Sequence, residues 1–275
     1  MIDLHSHTTE SDGTYTPKQL VDAAVALRLD ALAITDHDTF AGYNQARQLA
    51  AEAGLKLVCG IEMSTKIYHP VRRTVHLLGY FGENGPSSDF ISWIEDMQEA
   101  RRDRNSRLAE RLQSLGLDIR LEEVNALGRS LAGRPHFAKL MVSKGYVPNI
   151  TEAFRLYLDE SAPGYVERQE PSLAEAIQRI NQSGGISSLA HPVRLGKTDP
   201  LEEEELVAEI VRLGLQAIEA YHSDHSREDT RRYLGYAEKY GLRITGGSDF
   251  HGDNKPKVKL GCAQVPTSIL DELRQ

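Results

Sequence analysis

The chain has 275 residues, with 32 Lys and Arg against 40 Asp and Glu and a formal charge of -8 at pH 7. Hydrophobic residues make up 40% and charged residues 26%, a globular balance that excludes wholesale disorder. The acidic excess argues against a broad basic surface for long duplex DNA, but leaves room for a small phosphorylated substrate in one local pocket. Two cysteines, Cys59 and Cys262, cannot form a disulfide framework and suit a reducing cytosol. The start, Met1 to His5, lacks a basic-then-apolar leader, and no apolar run approaches the roughly 20 residues that span a bilayer. These features point to a soluble cytoplasmic protein with no membrane contact.

In chain order, short apolar segments alternate with amphipathic ones. Strands are expected at Ile2–His7, Ala31–Thr35, Leu55–Ile61, Thr74–Tyr80, Gly185–Ala190, Gln216–Tyr221 and Leu242–Gly246. Helices are expected at 17–28, 42–53, 172–183, 203–213 and 226–240, the first opening on Thr16-Pro17, a capping residue followed by Pro at the first helical position. Strand-then-helix order predicts a parallel α/β architecture with right-handed crossovers, and seven strands favour a closed or distorted barrel over an open sheet. Residues 86–165 break the rhythm. After a turn-rich segment at 82–89, Ile91, Ile94, Met97, Leu108, Leu112 and Leu115 recur at helical spacing, and 151–158 reads as another helix. The expectation is a barrel from 1–85 and 166–275, interrupted by a helical insertion at 86–165.

The histidines carry the chemistry. Of ten, most fall at predicted strand ends. His5 and His7 stand two apart, so an extended backbone points both the same way. Asp12 follows in the loop, His37 lies in Thr35-Asp36-His37-Asp38, Glu62 in Gly60-Ile61-Glu62, and His76 in the fourth strand. His191 ends the fifth in Ala190-His191-Pro192, and Asp249 and His251 end the last in Gly247-Ser248-Asp249-Phe250-His251. In a barrel, C-terminal strand ends converge on one rim. Six imidazoles and three carboxylates without thiolate suit Mn, Fe or Zn, and nine ligands exceed the needs of one ion. Two or three ions bridged by a carboxylate, Glu62 being the natural choice, is the economical reading.

These motifs, in this order, resemble the PHP (polymerase and histidinol phosphatase) family over about 1–82 and 166–275. The resemblance implies a distorted seven-stranded βα barrel with a trinuclear site. One ion would take His5, His7, Glu62 and Asp249, a second Glu62, His76 and His191, and a third Asp12, His37 and His251. Some family members have His where Asp12 stands; the extra charge here favours Mn over Zn at the third position, with Fe as a further alternative. Such a cluster turns a bound water into hydroxide near neutral pH and clamps phosphoryl oxygens for in-line attack. No Gly-x-Ser-x-Gly elbow, Walker loop or Rossmann fingerprint is present.

The substrate must be read from other groups. The insertion carries Arg101-Arg102-Asp103-Arg104-Asn105 and Gly133-Arg134-Pro135-His136-Phe137-Ala138-Lys139. Arginine grips phosphate through bidentate hydrogen bonds, and a helix N-terminus adds donors. The first run reads equally well as a solvated helix face. Arg101, Arg102, Asn105, Arg134, His136 and Lys139 are the candidate substrate-binding residues, and Lys144 is a weaker one. These motifs resemble the PHP branch of 3',5'-bisphosphate phosphatases and 5'-to-3' exoribonucleases. The implied reaction releases the 3'-phosphate of a nucleoside 3',5'-bisphosphate such as phosphoadenosine phosphate, its 5'-phosphate held by the insertion. Short 5'-phosphorylated RNA, or another small ester such as histidinol phosphate, is the alternative; a non-catalytic scaffold would have lost ligands. His222 is a candidate proton donor, and Phe137 or Tyr221 candidates for base stacking. His69 reads as a loop residue without a role.

Overall fold

The computed structural model describes residues 1–68, 73–128, 131–168, 170–197 and 199–273, so His69 lies outside the described residues. The elements in order are β1 (Ile2–Asp3), α1 (Pro17–Ala26), β2 (Ala31–Ile34), α2 (Ala41–Glu52), β3 (Lys56–Ile67) and β4 (Arg73–Phe81), then α3 (Ser88–Ser114), α4 (Leu121–Gly128), α5 (Arg134–Ser143) and α6 (Ile150–Ala153). A π-helical turn at Phe154–Leu158 follows, then α7 (Leu173–Gln182), β5 (Ile186–Leu189), α8 (Pro200–Arg212), β6 (Ala217–His222), α9 (Arg227–Tyr240), β7 (Arg243–Gly247) and α10 (Ile269–Glu272). Local chemistry accounts for the helix starts. The Thr16 side chain caps α1 by accepting from Gln19 N, with Pro17 at the first position. Ser226 and Asp229 form a reciprocal capping box on α9.

The seven strands form one sheet in sequence order, β1 to β7. The ends close: Leu4 N donates to Gly246 O at 3.1 Å, Asp249 N to His5 O at 2.8 Å and His7 N to Phe250 O at 2.9 Å. Closure depends on Gly247, where a Cβ would stand 2.3 Å from His5 N. The sheet is not wholly parallel, which corrects the sequence expectation. β4 runs antiparallel to both β3 and β5. The link between Ile67 and Arg73 is too short for the dozen or more residues of a crossover, so the chain must turn back as a hairpin. The reversal decides where the ligands lie. On a reversed strand the residue that reaches the rim sits early, and His76 is the fourth residue of β4.

Alternation along β2 divides the packing. Ala31 and Ala33 join Ile2, Leu4, Leu78 and Tyr80 in a compact cluster that α10 covers with Ile269 and Leu270. Leu32 and Ile34 face α1 and α2. The insertion has its own core, built from Leu108, Leu112, Phe137, Met141 and Leu158 among others. α3 spans the two: Phe90 and Ile94 pack on the barrel, Leu108 and Leu112 in the insertion core.

Candidate metal centre

Glu62, just past the middle of β3 and almost wholly buried, is the hub. Its Oε2 lies 3.3 Å from His5 Nε2, 3.1 Å from His7 Nε2 and 3.3 Å from His37 Nδ1. Its Oε1 lies 2.9 Å from His76 Nδ1 and 3.0 Å from His191 Nε2. Asp249 Oδ1 faces the same rings, 3.5 Å from His5 Nε2, 3.3 Å from His7 Nε2 and 3.4 Å from His251 Nδ1. Asp12 Oδ1 is 3.2 Å from His251 Nε2, and its Oδ2 3.9 Å from His37 Nε2. All nine expected side chains therefore meet on one rim.

Four groups among the described residues have ligand atoms mutually within 4.8 Å: His5, His7, Glu62 and Asp249; His7, Asp12, His37 and His251; His37, Glu62 and His76; and His5, Glu219 and His222. The first matches the expected set. The second adds His7 to the expected one, and the third has His37 where His191 was expected, although His191 still touches Glu62. The atoms themselves test whether cations fit. His5 Nε2, His7 Nε2 and His37 Nδ1 are buried, aimed at a carboxylate, and make no hydrogen bond of good geometry. Buried polar atoms are normally satisfied, so a convergent set of bare ring nitrogens around carboxylates suits divalent ions.

Without ions, protons are shared unevenly across this cluster. Burial opposes charging His5, but Glu219, Glu62 and Asp249 outweigh it and hold its pKa well above the ordinary value. Burial likewise opposes charging His7, and Asp249 and Glu62 raise it to about 9. Burial wins at His37, which falls to about 3, and at His191, which falls to about 4. Burial is overcome at His76, which is raised chiefly by Glu62, and at Asp12, Glu62 and Asp249, which the neighbouring rings hold well below the usual carboxylate range. Backbone strain concentrates here too: Asp38, His191 and Asp249 have φ of 53°, 27° and 57°. Non-glycine residues hold such angles, at about 1–3 kcal/mol each, only where the surroundings impose them.

Supporting residues escaped the sequence reading. Glu219, fully buried on β6, accepts from His5 Nδ1 at 2.9 Å and from His191 N at 2.6 Å. It holds a proton of His5 on Nδ1, so that the neutral ring turns a bare Nε2 toward Glu62, the arrangement that orients metal-bound imidazoles. A lone Glu within the apolar run Ala217-Ile218-Glu219-Ala220 was the available signal. Asp36 accepts from Thr8 N at 2.7 Å, Thr8 Oγ1 at 2.6 Å and Ser11 Oγ at 2.6 Å, and so shapes the loop that presents Asp12. His222 is buried behind Asp249: its Nδ1 accepts from Asp224 N at 3.0 Å and its Nε2 is 3.7 Å from Asp249 Oδ2. It lines none of the cavities described below, which moves it from candidate proton donor to a support for Asp249.

Two adjoining cavities open from the cluster. One of ≈ 330 Å³ is lined by Asp12, His37, Glu62, His76, His191, Asp249 and His251, with Lys139, Arg194 and Lys255. The second, of ≈ 250 Å³, shares Asp12, His37, His76 and Pro135 with it and adds Arg101, Arg104, Arg134, His136 and Arg168. Asp38 holds the Arg101 guanidinium and lies 3.4 Å from Arg168 Nη1. Arg134 leans on Phe154 and Tyr165, its guanidinium 5.9 and 5.8 Å from their ring centres. His136 Nδ1 accepts from Gly133 N at 3.1 Å, pinning the start of α5.

Arg104 differs from the rest. It is 6% exposed, its Nε has no hydrogen-bond partner, and it has no ion-pair partner among the described residues. Burial, with Arg101, Arg168 and Arg134 nearby, outweighs the attraction of Glu170 and pushes its pKa down to about 9. Two of the expected binding residues stand elsewhere. Arg102 is exposed and pairs with Glu99 one turn back, because 100° per residue carries it off the face that Arg101 and Arg104 share. Asn105 is buried but spends its amide on Ala132 O at 2.9 Å, tying α3 to the loop before α5. Lys144 pairs with Glu123 at 2.5 Å at the outer end of the insertion. Phe137 is fully buried in the insertion core and offers no stacking face to a base, and Tyr221, half-buried against the barrel clusters, lines none of the cavities beside the cluster.

A barrel whose rim gathers buried histidines and carboxylates defines a metal-site α/β protein, and comparison gives it a lineage. The chain belongs to the PHP domain family, whose pattern matches residues 3–159. It is 33% identical over 264 residues, 94% of this chain and 90% of the relative, to a 3',5'-nucleoside bisphosphate phosphatase of Chromobacterium violaceum. It is 34% identical over 264 residues, 95% of this chain and 88% of the relative, to the 5'-3' exoribonuclease Rnm of Escherichia coli. Among solved structures, a putative metal-dependent phosphoesterase of Bifidobacterium adolescentis superposes with a TM-score of 0.83 at 32% identity, covering 99% of this chain and 94% of that one.

Proposed function

We propose that this chain is a metal-dependent phosphoesterase that removes the 3'-phosphate of nucleoside 3',5'-bisphosphates, leaving the nucleoside 5'-monophosphate. His5, His7, Asp12, His37, Glu62, His76, His191, Asp249 and His251 would hold two or three divalent ions, with Mn favoured by the carboxylate of Asp12 at the third position and by the absence of thiolate. When bound, such ions supply an activated water near neutral pH and neutralise phosphoryl charge. Hydrolysis forms one O–P bond from water and breaks the P–O3' bond, and a proton ends on the 3'-oxygen. The chain's own residues orient the reactants. Glu219 and Asp36 fix the ligands, while the insertion at 86–165, acting as a lid, grips the 5'-phosphate with Arg101, Arg104 and Arg134, joined by Arg168 from just beyond it. Lys139, which lines the ligand cavity, is placed for the phosphate near the cluster. The observation that carries this reading is Arg104, a buried guanidinium with no ion-pair partner among the described residues, in a cavity contiguous with the ligand cluster where three other arginines outnumber the carboxylates of Asp12 and Glu170. A buried cation left unpaired is costly, and a dianionic phosphate satisfies it.

A second reading, removal of 5'-nucleotides from short 5'-phosphorylated RNA, is favoured by one further feature. A third cavity of ≈ 220 Å³, lined by Thr74, Val75, His76, Ala190, His191, Arg194 and Leu195, opens beside the cluster and offers an apolar wall for a downstream nucleoside. Both substrates use one geometry. We place the protein in the cytoplasm with no membrane attachment; no helix of the described residues is long and apolar enough to cross a bilayer.

The test is phosphate release with added Mn from adenosine 3',5'-bisphosphate, beside 3'-AMP, 5'-AMP and histidinol phosphate. Fast release from the bisphosphate, with 5'-AMP as product, is expected. Comparable rates on the monophosphates would discard the two-phosphate reading while keeping the metal centre.

A further inference from the structure

The three cavities run in series, and one cation stands at a junction the lid does not reach. Arg194 lines both the ligand cavity and the one beside His76 and His191, whereas the lid arginines line neither. Its guanidinium is held in place: Nε and Nη2 donate to Asp224 Oδ2 at 2.8 and 2.5 Å, and Nη2 lies 2.9 Å from Asp249 Oδ2. Lys255 Nζ is 2.6 Å from that same oxygen. Asp249 is thus two-sided, its Oδ1 toward the histidine rings and its Oδ2 toward two partly exposed cations. A phosphoryl group bound beside Asp249 has both cations within reach of its outer oxygens.

The two candidate substrates differ at one oxygen. A terminal 3'-phosphate has three non-bridging oxygens and close to two negative charges. In a phosphodiester, one of those oxygens is esterified and a single charge remains. We propose that Arg194, assisted by Lys255, binds the third oxygen of a terminal 3'-phosphate and makes the chain prefer a phosphomonoester end over an internal diester. This inference rests on the phosphoesterase reading above. It assigns Arg194 to the phosphate that is removed, distinct from the lid arginines on the phosphate that is kept. A guanidinium braced by Asp224 is pre-organised for that contact, and such a charge-assisted hydrogen bond discriminates by tenfold or more.

The experiment compares wild type with Arg194→Ala and Arg194→Lys on adenosine 3',5'-bisphosphate and on the 5'-phosphorylated dinucleotide pApA, all with Mn. For Arg194→Ala, kcat/KM on the bisphosphate should fall about tenfold to a hundredfold further than kcat/KM on the dinucleotide, which falls only as far as Arg194 braces Asp249. Arg194→Lys should recover part of the loss. Inhibition by inorganic phosphate gives a readout that needs no dinucleotide turnover: its Ki should rise at least tenfold in Arg194→Ala, with that of 5'-AMP unchanged. Equal losses on both substrates would mean that Arg194 acts only by bracing Asp224 and Asp249, and would overturn the proposal. A larger loss on the dinucleotide would overturn it in favour of a grip on the downstream chain. If Arg194→Ala is unfolded by circular dichroism, Lys255→Met serves for the same comparison and the same outcomes decide. A wild-type protein inactive on both substrates would instead defeat the phosphoesterase reading.

Discussion

Glu219→Gln isolates the contribution of an orienting carboxylate without touching a proposed ligand. Glu219 accepts two hydrogen bonds with different oxygens, Oε1 from His5 Nδ1 and Oε2 from the His191 backbone N–H. A glutamine has one acceptor oxygen, so its amide group must turn a donor toward one of these donors. Turned toward His5, it drives the ring to place its proton on Nε2, where the metal would bind. Turned toward His191, it disturbs a residue already held at φ 27°. Loss of such a partner costs about 10–100-fold in metal affinity, which is about 1.4–2.8 kcal/mol. Leaving one buried donor unsatisfied adds about 1–3 kcal/mol of lost stability. The assay is Mn titration by calorimetry, paired with activity against Mn concentration. We expect a weaker apparent Kd and activity that returns at high Mn. An unchanged Mn affinity would refute the reasoning, and so would activity that stays low at saturating metal.

Replacing Arg104 with Met should raise KM for adenosine 3',5'-bisphosphate by about tenfold to 150-fold, the range of one charge-assisted hydrogen bond. The same change removes an unpaired buried cation, so the free protein should melt higher; a lower Tm with KM unchanged would contradict both parts. In chelated protein, stability should peak between about pH 6 and 7. His7, raised to about 9, contributes stability that is complete below its ordinary pKa and lost as pH rises toward 9. His37 and His191, depressed to about 3 and 4, leave the unfolded chain binding more protons, so stability falls as pH drops below 6.5. Added Mn should remove the alkaline loss, because ions take neutral rings; Tm measured from pH 5 to 9 with and without Mn checks both limbs. Gly247→Ala should cost about 1–3 kcal/mol by overpacking, since its Cβ would stand 2.4 Å from the His5 Cβ. Urea unfolding gives the value, and a neutral result would remove the close approach as the reason for glycine there.

The strand ends were legible because strand chemistry is local. Brief runs such as Ala31–Ile34 and Ile186–Leu189, apolar or carrying only small serines, are buried throughout, and His or Asp follows each at the rim. The reversal of β4 was harder to see, because His76 reads as mid-strand until the direction is known. Even so, the absence of a helix between β3 and β4 carried the clue. Residues whose roles depend on distant partners were not legible. Arg168 reads as a loop cation until Asp38, 130 residues earlier, is seen beside it. Glu219 and Asp36 gain their roles from His5 and Thr8 in the same way. On α3, spacing placed Arg101 and Arg104 on one face, but only packing tells which face is inward and that Asn105 is taken up by Ala132 O.

The most direct test of the central claim follows the oxygen of water. Adenosine 3',5'-bisphosphate is incubated with the Mn-loaded protein in 18O-water, and the products are resolved by mass spectrometry. Attack at the 3'-phosphorus should place one 18O in the released inorganic phosphate and none in the nucleotide, which should be 5'-AMP. Recovery of 3'-AMP as the nucleotide product would place the attack on the 5'-phosphate and contradict the arrangement of lid and metal centre.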